Sequence, residues 1–228
     1  MTIERGPTLA FRVRGSYACF TRPETKAEPF SYDVMTPSAA RGVVKSIVWK
    51  PSIEWQIERI HVLSPIKRDQ IVRKELRDLP SLKVPFHAPD HHTRKNTTLL
   101  RDVDYLVECF FKMTEEAYPD DSVQKFVAIF RRRLENGQCY YPPYLGLREF
   151  IADVLPVQSK GSLYFDPVSG NKILPEVAYR DVSIPMGQML LEPGSEAPIM
   201  FSAELKNGIL VETGKDRLPE FRSEIHVH

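Results

Sequence analysis

Leu9, Phe11 and Val13 alternate with polar or small neighbours in "TLAFRVRG", the period of a half-buried strand, and Gly15 closes it. An irregular stretch follows, "SYACFTRPETKAEPFSYDVM", rich in aromatic and turn residues. The period then lengthens: Ala39, Ala40, Val43, Val44, Ile47 and Val48 form one apolar stripe at helical spacing. Thr36 offers an N-cap oxygen, Pro37 suits the first turn, and Lys50-Pro51 stops the helix. Gly42 within it costs roughly 1 kcal/mol against alanine. A glycine there predicts either close packing on a sheet or a backbone that something must approach.

In "SIEWQIERIHVLSPI", Ile53, Trp55 and Ile57 share one parity and Ile60 and Val62 the other, so a bulge is expected near Glu58-Arg59. The basic, proline-punctuated run from Lys67 to Leu100 shows little sustained period. It is expected to be an excursion, partly a hairpin and partly mobile loop. "VDYLVECFFKM" is a strand again. "DSVQKFVAIFRRRLENG" is a helix capped by Asp121 or Ser122, with Val123, Phe126, Val127, Phe130 and Leu134 as its apolar stripe and Asn136-Gly137 as its stop. "QCYYPPYLGLREF" is expected to be extended. A distinct β-rich tail begins near Gln158 and contains "GSLYFD", "VAYRDVSIPM" and "IMFSAELKNGILVE", where Asn207-Gly208 signals a two-residue turn. The order predicts an α+β fold: a ferredoxin-like (RRM-like) βαββαβ domain over residues 1–157, with the excursion at about 67–100, then a small antiparallel β-sheet domain over 158–228.

With 228 residues, 42% of them hydrophobic and 27% charged, the chain can bury one sizeable core, or a core and a small satellite. Cys19, Cys109 and Cys139 are odd in number and lack CxxC spacing, which favours a reducing compartment over a disulfide framework. No apolar run has the length of a membrane span, and "MTIERGPTLAFRV" has no signal-peptide core, so a cytoplasmic protein is expected, with no membrane partner. Net charge is only +1, yet three basic islands stand out: "IKRDQIVRKELR", "HHTRKNTTLLR" and "FRRRLENGQ". They suit phosphate-backbone binding, or alternatively serve as solvated faces.

Five ordered strings resemble the CRISPR-associated Cas-five family in its type I-C form, within the RAMP superfamily. They are "GSYACFTRPETK", "SYDVMTPSAARGVVKSIVWKPSIEWQIERIHVLSPI", "HHTRKNTTLLRDVDYLVECFF", "FRRRLENGQ" and "YLGLREF". The resemblance runs from about Gly15 to Phe150 and is weaker in the β tail. It implies an endoribonuclease that cuts precursor CRISPR RNA at the base of the repeat hairpin. The cut it implies needs no metal or cofactor and leaves a cyclic phosphate. The enzyme would then stay on the 5′ handle within the type I-C Cascade, beside its backbone and large subunits, with a monomer expected in isolation and non-specific DNA binding allowed. The resemblance also sets the first helix beside the scissile phosphate. Characterised members use a Tyr just before the Trp-Lys-Pro string and a Lys-His pair opening the second helix. These positions are Val48, Lys125 and Phe126, so the lysine alone is kept.

Metal-free cleavage requires deprotonation of the 2′-hydroxyl, stabilisation of the phosphorane charge and protonation of the 5′-oxygen. Lys125 is the candidate electrostatic stabiliser; alternatively it is an exposed lysine on an amphipathic helix. His91 and His92, beside Arg94 and Lys95, are candidates for proton transfer. No ligand partner at metal spacing accompanies that histidine pair. Tyr140 is a candidate donor, and Tyr141 and Tyr144 are candidates for stacking on bases. Tyr32, Arg41, Lys45, Lys50, Arg131, Arg132 and Arg133 complete the candidate RNA contacts, although three consecutive arginines on a helix cannot all face one phosphate. His61 reads as a strand histidine packed beside Val62. The alternatives are a non-catalytic subunit holding the 5′ handle, motivated by Val48 and Phe126, and a structural module with no nucleic-acid role.

Overall fold

The computed structural model describes residues 4–25, 27–76, 92–161, 163–193 and 197–212. Strand β1 (Leu9–Ala18) is followed by helix α1 (Pro37–Ile47) and strand β2 (Ile53–Val62). Strands β3 (Arg68–Leu76) and β4 (His92–Met113) then lead to helix α2 (Val123–Glu135). After β5 (Asp153–Pro156) come a short pair, β6 (Gln158–Lys160) and β7 (Leu163–Phe165), and the last three strands, β8 (Ser183–Glu192), β9 (Ile199–Lys206) and β10 (Ile209–Glu212). The fold is mixed α+β and dominated by one antiparallel sheet of order β5-β1-β4-β2-β10-β9-β8, with β3 paired to β4 off that path.

Local chemistry explains the helices. Thr36 Oγ1 accepts from the Ala39 amide at 3.1 Å, Pro37 opens α1, and Ala40, Val43, Val44 and Ile47 are buried. At α2 the cap is Ser122, whose hydroxyl accepts from the Lys125 amide at 3.3 Å, and Val123, Phe126, Phe130 and Leu134 face inward. Both apolar stripes press on one face of the sheet. Phe130 meets Phe11 and Trp55 with ring centroids 6.4 and 5.4 Å apart, and Phe126 meets Phe111 at 6.1 Å. Each buried ring contributes on the order of 2–3 kcal/mol relative to exposure.

The register of β2 against β4 shifts between Ile57 and Arg59, so Ile60 and Val62 return to the core side with Trp55. That is the bulge expected from the change of parity. The excursion contains a hairpin in which β3 pairs residues 92–100 of β4. The loop expected within the same excursion falls on residues outside the described ones, 77–91. β4 continues through Asp102, whose φ is +53°, into the middle of the sheet between β1 and β2.

Residues 138–151 differ from the expected extended run: they form an irregular turn with one bridge, Tyr144 to Ile151, and regular pairing starts only at β5. Pro142 and Pro143 lack amide donors, and Gly146 has φ +85°, so a continuous ladder cannot form there. The tail strands extend the same sheet. Asn207 and Gly208, both at positive φ, turn β9 into β10, and β10 pairs with β2 through Ile209–His61 and Leu210–Ile60.

The opposite face of the sheet carries polar groups under the β6–β7 pair. Arg12 is bonded to both carboxylate oxygens of Asp104 at 2.9 and 2.5 Å and to Asp166 at 3.3 Å. His61 meets Glu108 at 2.6 Å and stacks edge-on to Tyr164. Burial pushes the Glu108 carboxyl up, but the His61 hydrogen bond and the Arg59 charge outweigh it and hold the group below the usual range. Among the described residues no helix is long and apolar enough to cross a membrane.

Candidate active site at the end of the first helix

A helix leaves its last carbonyls without partners, and at α1 they are met from three directions. The Tyr140 amide donates to Ser46 O at 2.6 Å, the Arg133 guanidinium to Ile47 O at 2.6 Å, and the Trp55 indole to Val48 O at 2.8 Å. Residues far apart in sequence are thereby drawn to one point. The chain leaves this point through Trp49, which is 52% exposed, and the exposed Lys50.

The turn after it is tied to the start of α2. Ser52 Oγ donates to Asp121 Oδ2 at 2.5 Å, and Thr114 Oγ1 to Pro51 O at 2.6 Å. Asp121 also accepts from Lys125 Nζ at 2.8 Å and from the Tyr118 amide at 3.2 Å, while Asp120 stands 3.5 Å from the same ammonium. The Lys125 hydrogen bond, then that of Ser52, hold the Asp121 carboxyl down at about 2. The reciprocal bond to Asp121 raises Lys125 despite some desolvation. Lys125 is thus a firmly charged ammonium fixed beside the α1–β2 turn, with part of its field offset by two carboxylates.

Val48 and Phe126 offer no polar group, and both are buried. Tyr140 is 71% exposed and lies edge-on to Tyr141, with centroids 6.4 Å apart. Tyr141 Oη donates to Gly42 O at 3.4 Å, so this aromatic pair flanks the outer side of α1, and burial raises the Tyr141 hydroxyl. Tyr144 is half-buried below it.

The remaining candidates divide by what they touch. Arg131 and Arg132 are exposed on α2, whereas Arg133 caps α1. Arg41 is buried and ion-paired to Glu192 of β8; desolvation lowers its guanidinium, opposed by the Glu54 charge. Lys45 lies on the outer, half-exposed side of α1. Tyr32 is buried, with the Arg22 guanidinium 4.7 Å above its ring. Arg94 and Lys95 lie on β4 opposite Lys74 and Arg73, far along the hairpin from α1 in sequence register. His92 is the first residue of β4, and His91 lies outside the described residues. Lys125 is thus tied to the turn after α1, the Tyr140 backbone to its last turn and the Tyr141 hydroxyl to its middle, while Tyr32, Arg41 and Arg133 are engaged within the fold.

Asp121 and Ser52 were not singled out from the sequence as site residues. The signal for Asp121 was present, since an acid four residues before a lysine at a helix start pairs with it. Ser52 carried none, because its partner is 69 residues away. Among the described residues no group of three His, Cys, Asp or Glu is arranged to hold a metal.

The chain matches, over residues 8–210, the family model for the Cas5d type of CRISPR-associated protein (Cas_Cas5). A CRISPR pre-crRNA endoribonuclease Cas5d of Mannheimia succiniciproducens is 36% identical over 219 residues, covering 89% of this chain and 95% of the relative. The protein of the same name from Thermus thermophilus is 38% identical over 184 residues, 81% of this chain and 72% of the relative. A crystal structure of a CRISPR-associated protein superposes with a TM-score of 0.67 at 22% identity, covering 100% of this chain and 98% of that one, a likeness of fold.

Proposed function

The chain belongs to the Cas5d family of CRISPR-associated proteins, and from that premise we propose that it cuts precursor CRISPR RNA at the base of the repeat hairpin. It then stays on the 5′ handle in the cytoplasm as a subunit of the type I-C Cascade, beside the backbone and large subunits. The observation that carries the reading is Lys125, held charged by Asp121 and tied through it to Ser52 in the turn that follows α1. Strand order β5-β1-β4-β2, with both helices on one face, supports a ferredoxin-like reading of residues 1–157, and within the β-rich tail proposed for 158–228 it is β8, β9 and β10 that add strands at the β2 side.

The reaction is attack of the 2′-oxygen on the adjacent phosphorus, expelling the 5′-oxygen and leaving a cyclic phosphate, with no metal ion. Lys125 holds its proton and faces the charge that grows on the non-bridging oxygens. Tyr140, exposed beside the last turn of α1, donates a hydrogen bond to the phosphate or the departing oxygen. His91 and His92 are assigned the proton transfers, taking the 2′-hydroxyl proton and returning one to the 5′-oxygen, which requires the 67–100 excursion to bring them within hydrogen-bond reach of the phosphate that Lys125 faces. Lys45, Lys50, Arg94, Lys95, Arg131 and Arg132 grip the backbone, and Tyr141 and Tyr144 meet bases.

Burial of Val48 and Phe126, at positions where the family resemblance implies a tyrosine and a histidine, favours a second reading, a handle-binding subunit without cleavage activity. One incubation separates the two. The purified chain is mixed with its end-labelled repeat hairpin in EDTA, and the product ends are read by mass. A single cut with a cyclic phosphate is expected; tight binding of RNA that stays intact for hours decides for the second reading.

A further inference from the structure

Gly42 lies mid-helix in α1, and a Cβ built on it meets no atom within 4 Å. Neither close packing on the sheet nor a left-handed backbone calls for glycine there. The residue instead opens onto a cleft of about 340 Å³ between the first half of α1, the Cys19–Thr21 segment, the Tyr144–Leu147 turn and Leu190. The walls of this cleft are fixed. Cys19 N donates to Leu145 O at 3.0 Å, and Gly146, at φ +85°, lies so close against the Cys19 carbonyl that no side chain fits between them.

Phe20, Tyr144, Leu147 and Leu190 make the lining apolar, while Ser38 and Thr21 bring hydroxyl groups to it. No charged side chain lines the cleft among the described residues, which disfavours a phosphate and suits a flat, uncharged ligand with polar edges. The Tyr141–Gly42 hydrogen bond joins its mouth to the Tyr140–Tyr141 pair. Roughly 9 Å of helix axis separates Gly42 from Val48, so cleft and site lie within reach of one RNA strand.

We propose that this cleft receives one unpaired nucleobase of the repeat RNA, stacked against Tyr144 and read by the Ser38 and Thr21 hydroxyls, with Gly42 keeping the entrance open. Protein readers of single-stranded RNA commonly splay a base onto an aromatic ring and bond its edge in this way. The inference rests on the RNA-processing reading above and adds to it a site that selects a nucleotide.

The test is an abasic scan. Repeat hairpins lacking one unpaired base at a time are titrated against the wild-type chain and against Gly42→Leu, whose side chain enters the open space. Circular dichroism first verifies that the variant is folded, and Ser38→Ala with Thr21→Val serves as a second variant that leaves α1 backbone geometry alone. One unpaired position should weaken wild-type binding about tenfold when its base is removed. At that position Gly42→Leu should bind intact and abasic RNA equally, and the hydroxyl-free variant should lose discrimination among the four bases. If wild type binds and cuts the repeat while Gly42→Leu matches it on every RNA, the cleft is not a base site although the function stands. If wild type binds no repeat RNA, both readings fall together.

Discussion

Asp121 accepts from Ser52, Lys125 and the Tyr118 amide at once, and that crowding of donors decides how the site responds to acid. Its folded carboxyl titrates at about 2, below the roughly 3.9 of a free aspartate. A depressed acid stabilises the fold fully above its unfolded value and loses that contribution as pH falls through the folded one. Thermal midpoints recorded from about pH 5 to about pH 2 should therefore fall more steeply for wild type than for Asp121→Asn. Equal slopes would remove Asp121 from this role. Arg41 and Glu192 make a different case, an ion pair that ties α1 to β8. Glu192→Ala leaves a buried guanidinium with less compensation, and chemical denaturation should show a loss of roughly 2 kcal/mol, discounted for partial exposure. Such pairings were hidden in the sequence. Arg41 and Arg133 read as RNA contacts because nothing local distinguishes a charge that faces solvent from one spent on a partner 151 or 86 residues away.

Elements held by local chemistry were legible. The Thr36 cap, the Lys50-Pro51 stop, the β2 bulge and the Asn207-Gly208 turn each depend on residues within a few positions of one another, so their patterns survive in the sequence. The stretch around Tyr140–Phe150 was not legible, because its course is set by Ser46, Cys19 and the positive φ of Gly146 rather than by its own period. The two glycines with contrasting surroundings make opposite predictions under urea denaturation. Gly42→Ala should stabilise the chain by up to about 1 kcal/mol, since its Cβ meets nothing and the helix gains propensity. Gly208→Ala should destabilise it by more than that, because φ is +73° and the new Cβ would lie 2.5 Å from the Pro175 Cβ. A neutral Gly208→Ala would mean that the turn and Pro175 yield together.

Across the whole molecule, a formal net charge of +1 leaves affinity for a polyanion to local clusters. Binding of repeat RNA should still fall steeply with salt, log K dropping by about 0.7 per neutralised phosphate for each unit of log salt. The double change Arg131→Ala and Arg132→Ala should make that slope shallower by about one to two, measured by filter binding from about 50 to about 500 mM salt. A flat wild-type slope would point to a module without a nucleic-acid role. One ammonium, bonded to Asp121 and tied through it to Ser52, presents fixed charge beside the turn that follows α1. That arrangement is tested most directly by single-turnover cleavage of the repeat hairpin by Lys125→Ala in chelator. The account predicts a rate at least about tenfold below wild type with RNA affinity nearly unchanged; a wild-type rate in that variant would contradict it.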